Sequence, residues 1–319
     1  MQEKILHIGI CVYRDKESSL TKAFKRATNN YLELSLSEKH LQQKAIQLAE
    51  AFKPDLVFLQ IQADNILHLE TVKEIKKHSR IVINWTGDVR SPLQPFFLPM
   101  AKEIDYTCFT NMRDVNFIRS KGYGAEFVQI GYDETIYYPY IPVQKVFQGG
   151  KELHYQKDID IVFMGNNYGN QFPLGKQRIA MVNYLRKAYG NRFKVFGNFH
   201  NADGNLNHSQ EEEAAIYRRS KIGINMSHFN LERYTSDRML RLMGSGTLCL
   251  THKFEGIEQD FQDGENVVVW ETFEGLKSKI DYYLANEKER ERIAANGEKL
   301  VRERNTFNHM VEDLIKLIK

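Results

Sequence analysis

Apolar positions in the first 130 residues alternate between two periods. Ile5–Val12 reads as a buried strand interrupted by His7, and Leu32, Leu34 and Leu36 alternate with Glu33 and Ser35 at strand spacing. Ser37 then stands as a cap before Leu41, Ala45, Leu48, Ala49 and Phe52, which recur at helical spacing. Pro54 closes that helix, and Asp55–Gln62 forms the next strand. A helix over Leu67–Lys77, strands Arg80–Trp85 and Tyr106–Thr110, a helix over Asp114–Lys121 and a strand Phe127–Ile130 continue the series. Strands separated by single helices predict a parallel sheet with right-handed crossovers. Ligands gather at the carboxyl ends of such strands, which singles out Tyr13–Ser19, Thr86–Arg90, Asn111–Arg113 and Gly131–Glu134.

The periodicity lapses between Tyr138 and Gln156, where Pro139, Pro142, Gly149 and Gly150 interrupt it. A second alternation follows: strand Ile159–Met164, helix Gln177–Ala188, strand Phe193–Gly197, helix Gln210–Ser220, strand Ile222–Met226, helix Asp237–Met243 and strand Thr247–Thr251. Glu287–Ala295 reads as a helix stopped by Gly297, and Phe307, Met310, Val311, Leu314, Ile315 and Ile318 make an apolar stripe that needs cover. The pattern predicts an α/β chain of two Rossmann-like halves with parallel sheets, residues 1–140 and 158–304. Residues 141–157 are the linker, and residues 305–319 are a last helix returning to the first half.

Composition changes this picture little. A chain of 319 residues suits two domains, and a net charge of +3 neither demands nor excludes a polyanion. Nucleic acid as a partner is open but unsupported, and oligomeric state is not legible. Cys11, Cys108 and Cys249 lie far apart in apolar runs, which fits a reducing, cytoplasmic setting. Ile5–Val12 is too short and polar for the apolar core of a signal peptide, and nothing reaches the about 18 apolar residues of a membrane span. The ten histidines show no ligand spacing, so no metal site is expected.

The densest chemical signal runs from Asn225 through Ser227, Arg233, Tyr234, Thr235, Ser236, Asp237 and Arg238 to Gly246. It is a strand end, a polar loop and a helix start, whose free N–H groups would bind phosphate with Arg233 and Arg238 adding charge-assisted bonds. The same run also fits an ordinary capped helix with solvated arginines. Gly165, Asn166, Asn167 and Gly169 make a strand-to-helix turn through which a diphosphate approaches the backbone, with Arg178 near the next helix start. A plain loop explains that turn as well. In the first half, Asp88 after a strand is placed to handle an acceptor hydroxyl, Trp85 to stack on a sugar and Arg90 to supply counter-charge. A turn aspartate beside a buried tryptophan is the competing reading.

Taken in order, Asp160–Gly165, Tyr217–Asn225, Arg238–Gly246, Phe254–Phe261, Asp263–Asn266 and Asn305–His309 resemble the CgeB-like branch of the group 1 glycosyltransferases. The resemblance spans about Asp158 to Ile318 and, more loosely, the first half. It implies a GT-B fold of two facing Rossmann-like domains and a nucleotide-diphosphate sugar as donor substrate, without cofactor or metal. It places Gly165 beside the diphosphate, Val195–Gly197 near the base and Tyr234–Arg238 on sugar and phosphates. Arg233 and Arg241 stand where many group 1 enzymes carry two glutamates. Glycosyl transfer to an unidentified acceptor is the activity implied. The alternatives are a nucleotide-sugar epimerase, a catalytically silent binding protein of the same fold, and transfer to modified DNA.

Overall fold

The computed structural model describes residues 3–13, 16–139, 146–148, 151–153, 157–206 and 209–319. The chain divides into two compact units, Met1–Gly131 with Thr306–Lys319, and Tyr132–Asn305.

Unit 1 runs β1 (Ile5–Gly9), β2 (Val12–Tyr13), β3 (Lys16–Glu17), α1 (Ser19–Ala27), β4 (Tyr31–Ser35), α2 (Leu41–Phe52), β5 (Leu56–Leu59), α3 (Leu69–Lys77) and β6 (Ile81–Thr86). It continues through α4 (Phe97–Glu103), β7 (Tyr106–Phe109), α5 (Met112–Ser120) and β8 (Ala125–Phe127). Six of these strands form a parallel sheet in the order β4-β1-β5-β6-β7-β8. Strands β5 and β6 are buried along their whole length, which is why β5 is a continuous apolar run and β6 is apolar apart from Asn84 and Thr86, rather than alternating. The segment expected as a linker holds an antiparallel ribbon of β9 (Val146–Gln148) and β10 (Lys151–Leu153); its remaining residues up to 156 lie outside the described ones.

Unit 2 contains β11 (Ile159–Met164), α6 (Gly175–Tyr189), β12 (Phe193–Phe196), α7 (Gln210–Arg218), β13 (Ser220–Asn225), α8 (Asp237–Gly244) and β14 (Leu248–His252). Then come β15 (Val268–Trp270), α9 (Phe273–Ala285) and α10 (Glu287–Arg304). Its five-stranded parallel sheet has the order β12-β11-β13-β14-β15. The last helix, α11 (Phe307–Lys316), belongs to unit 1. Its stripe of Met310, Val311, Leu314 and Ile318 joins Leu20, Ala23 and Phe24 of α1 over one face of the first sheet. Burying each of these large apolar side chains stabilises the unit by about 1.5–3 kcal/mol before chain entropy is counted.

Several local expectations change. Helix α1 was not expected, because its apolar residues Leu20, Ala23 and Phe24 make one short stripe among lysines and an arginine. Ser37 caps nothing: α2 starts after His40, and the Ser37 hydroxyl pairs with Ser35 at 2.8 Å. Gly297 does not stop α10, which continues to Arg304. A Cβ at Gly297 would lie 2.5 Å from the Asn266 carbonyl oxygen, so this glycine serves close packing rather than termination. Strand β15 is only three residues long, too short to read from alternation.

No helix among the described residues is long and apolar enough to cross a membrane.

Candidate functional site

The second sheet reverses its direction of growth between β11 and β13, since β12 is added on one side of β11 and β13 on the other. Open α/β sheets hold ligands in the crevice at such a point, beyond the carboxyl ends of the strands. Here that crevice lies past Met164 and Asn225, the last residues of β11 and β13.

Two arginines meet there. Arg178, on the first turn of α6, is 2% exposed, and its Nε and Nη2 have no hydrogen-bond partner. Its guanidinium lies 5.0 Å from the centroid of the Phe163 ring, and that of Arg238, on α8, lies 5.5 Å from the same ring. Gly165 is what makes room for them: a Cβ there would sit 1.8 Å from Arg178 Nη2 and 3.2 Å from Arg238 Nη2. Burial, and then the neighbouring charge of Arg238, both push the Arg178 guanidinium down from its ordinary value. A buried cation beside a like charge and without hydrogen-bond acceptors is costly, and such groups are normally paired.

Arg238 is aimed by a buried network. Its Nη1 donates to Asn225 Oδ1 at 3.2 Å and to the Met226 carbonyl at 3.4 Å. The Ser236 hydroxyl donates to the same Asn225 oxygen at 2.9 Å, while Asn225 Nδ2 donates to Thr251 Oγ1 at 2.9 Å. Ser236 is the N-cap residue of α8, yet its side chain makes no cap bond, because it is committed to Asn225.

The turn after β11 is shaped by its own side chains. Asn167 Oδ1 accepts from the Gly169 amide at 2.8 Å, and the Asn167 amide donates to Asn198 Oδ1 at 2.5 Å. Asn166 Nδ2 donates to the Tyr168 hydroxyl at 3.3 Å. Gly197 has φ +138°, and a Cβ there would lie 1.9 Å from the Gly165 carbonyl oxygen. The two glycines let the ends of β11 and β12 close together. Across the crevice, Ser227 Oγ accepts from the Phe229 amide at 3.2 Å, and Thr235 is buried. The Tyr234 ring lies 6.4 Å from that of Phe229.

His228, which follows β13, was missed by sequence reasoning, and no spacing rule marks it. Its ring lies 5.2 Å from Tyr168 and 5.1 Å from Phe172, and both ring nitrogens are buried without hydrogen-bond partners. Burial first, then Arg178 and Arg238, lower its pKa to about 3, against a smaller opposing pull from the Asn166 main chain. Asn225 and Thr251 were also missed as functional positions; a polar residue ending a buried strand is the one signal they carry.

Other expected residues lie elsewhere. Arg233 is engaged by Asp260 through two bonds of 2.9 and 2.7 Å, at a backbone φ of +57°, so its guanidinium is committed to a carboxylate rather than to the Arg178–Arg238 pair. Arg241 reaches Asp237 at 2.9 Å and Glu213 at 3.4 Å, and the Tyr137 hydroxyl donates to Glu213 at 3.1 Å. Glu213, in the first turn of α7, is therefore an ion-pair partner. Asp237 is held below the usual carboxylate range: burial would raise it, but Arg241 and Arg238 outweigh that.

The acceptor-side residues lie in unit 1. Asp88 is in a turn after β6, its amide donating to Thr86 Oγ1 at 3.1 Å and its carboxylate, 54% exposed, accepting from Arg90 at 3.1 Å. Trp85 is 3% exposed and its indole N–H donates to the Val128 carbonyl at 2.9 Å. Its ring is part of the core and offers no face to a sugar, which corrects the stacking expectation.

The first sheet has its own reversal, between β1 and β5. There His7 Nε2 lies 2.8 Å from Gln60 Oε1, its Nδ1 lies 2.8 Å from the Tyr31 hydroxyl, and the Ile10 amide donates to Gln60 at 2.9 Å. A Cβ on Gly9 would lie 2.4 Å from both Gln60 Oε1 and His7 Nε2. Burial lowers the His7 pKa to about 4 against a partly opposing bond from Gln60, so this imidazole is neutral at pH 7.

Two parallel Rossmann-like sheets on one chain give an α/β fold, and the solved structures similar to it share the GT-B fold. Residues 177–316 match the family model described as glycosyl transferase-like. Over 99% of both chains, HepE of Anabaena in complex with UDP-glucose is similar at a TM-score of 0.66 and 11% identity. An alpha-glucosyltransferase in complex with UDP-glucose and DNA containing an abasic site gives 0.67 and 11% over 98% of both chains. Sucrose-phosphate synthase of Thermosynechococcus elongatus gives 0.64 and 10%, again over 98% of both. No curated protein matches the sequence significantly.

Proposed function

We propose that the protein is a glycosyltransferase whose unit 2 holds the diphosphate of a nucleotide-sugar donor against Gly165, Arg178 and Arg238. The observation that carries this reading is the buried Arg178 guanidinium with two unpartnered nitrogens beside a second arginine. A diphosphate supplies both the acceptors and the negative charge that this pair lacks. As the bond from sugar to diphosphate breaks, charge grows on the departing phosphate oxygen. The two guanidiniums and the amino end of α8 are already in place to stabilise it, without a metal. The resemblance to folds solved with UDP-glucose supports the same donor class.

Transfer further requires an acceptor, and Asp88 is the candidate that receives its proton. Its carboxylate is accessible at the carboxyl edge of the first sheet, and Arg90 keeps it oriented.

A thermal-unfolding series with UDP, UMP and uridine tests the donor reading. UDP at a hundredfold excess over its dissociation constant should stabilise by about 2.7 kcal/mol, with UMP weaker and uridine weaker still. Equal effects of UDP and uridine would place binding away from the arginines and overturn the reading.

A further inference from the structure

We propose that His228 is a third ligand of the bound diphosphate and takes up one proton from solvent as the anion docks. This inference rests on the donor reading above. Its starting point is two buried ring nitrogens that make no hydrogen bond of good geometry, with only the Asn166 main chain pulling weakly on the ring, in a crevice where Arg178 is also left incomplete. Most buried polar side-chain atoms in folded proteins are satisfied, so two orphaned side chains gathered in one crevice point to one missing partner. The neutral imidazole presents one acceptor nitrogen, yet neither ring nitrogen is hydrogen-bonded to the Arg178 Nε or Nη2.

The surroundings fix the charge state. The ionisable groups acting on the ring are Arg178 from α6 and Arg238 from α8, and the Tyr168 phenol flanks it. Asp237 and Tyr234 act on Arg178 in turn. Without an anion, the nearest charges are both positive and the ring is neutral, with its pKa lowered to about 3. A diphosphate brings two to three negative charges among the same groups and reverses the sign of the local field. An imidazolium is then favoured, and it has donors at both nitrogens where the neutral ring has one. The step transfers one proton from a buffer acid or hydronium to the ring, and no other bond changes. The main-chain carbonyl of His228 accepts from the Leu174 amide at 3.0 Å, which ties this loop to the start of α6 and keeps the ring beside Arg178.

The test is calorimetry of UDP binding to the intact protein near neutral pH in two buffers of different ionisation enthalpy, which counts protons taken up. Wild type should take up more protons than His228→Gln, the difference approaching one. UDP affinity of wild type should weaken by up to about tenfold per pH unit as pH rises from above about 3 through neutrality, relative to the variant. Any proton that UDP itself gives up to the buffer on meeting the arginines is common to both proteins and cancels. UDP binding with equal proton counts in the two proteins overturns the role of His228 and leaves the arginine site standing. Failure of both UDP and inorganic pyrophosphate to bind wild type removes the site and this inference together. Should His228→Gln not fold, nitrogen-15 spectra of the wild-type ring decide: both nitrogens protonated with UDP bound supports the proposal, and a neutral ring overturns it.

Discussion

Both sheets reverse direction at one place, and the two crevices are built alike but left in opposite electrostatic states. In unit 1 a glycine at a strand end makes room for His7 and Gln60, which satisfy each other and a main-chain amide. In unit 2 a glycine at a strand end makes room for Arg178 and Arg238, and Arg178 is left with two unpartnered nitrogens. The first crevice is complete within the chain; the second carries positive charge that Asp237, itself paired with Arg241, balances only in part. The lesson is that topology marks where a ligand can sit, while the unsatisfied atoms say which of two equivalent places needs one, and of what charge.

The largest expected effect concerns catalysis. If Asp88 receives the acceptor proton, Asp88→Asn lowers turnover by about 10²–10⁴-fold while UDP affinity is kept. Near-normal transfer by a folded variant would take unit 1 chemistry away from Asp88.

The paired glycines come next. Gly165→Ala places a methyl on Arg178 Nη2 and should weaken UDP binding at least a hundredfold, from the loss of two charged contacts of about 1.5–3 kcal/mol each. Gly9→Ala meets Gln60 and His7 instead; it should cost about 1–3 kcal/mol of stability by overpacking and leave UDP affinity unchanged. Similar UDP losses in both would erase the contrast between the crevices. Within unit 2, Arg238→Ala should weaken UDP by about 1.5–3 kcal/mol, whereas Arg233→Ala should lower Tm through the loss of its Asp260 pair and leave UDP affinity intact.

The smallest effect is in the pH dependence of folding. A histidine ordinarily near 6.5 whose folded pKa is about 4 stays neutral in the native protein while the unfolded chain takes a proton. The stabilisation from His7 is therefore full above 6.5 and falls by about 1.4 kcal/mol per pH unit on acidifying toward 4. UDP should not alter that slope. His228 contributes with the same sign over the same direction, and its share should disappear when UDP is bound. Chemical denaturation at several pH values, with and without UDP and in His7→Gln, separates the two.

Much of the architecture was legible because β5 is an unbroken apolar run, β6 and β11 are apolar apart from Asn84, Thr86 and Asp160, and each is followed by a helix. Elements with weak stripes or three residues, such as α1 and β15, were not. Gly165, Arg178 and Arg238 stood out as candidates because strand-end glycines and helix-start arginines have a stated use. The commitment of Arg233 to Asp260 was invisible, since the partner is 27 positions away in a different loop. Trp85 misled for the same reason: only the fold shows that its N–H is taken by Val128, on a segment 43 positions away. His228 carries no pattern at all, and its interest arises from what surrounds it.

The central claim is that Arg178 is an unbalanced buried charge awaiting a diphosphate, and Arg178→Met tests it most directly. Methionine fills the volume beside Phe163 without the charge. Thermal unfolding with and without UDP should show a variant more stable than wild type by about 1–3 kcal/mol alone, with UDP adding about half of the wild-type stabilisation or less. A variant less stable than wild type that gains the full wild-type stabilisation from UDP would contradict the account.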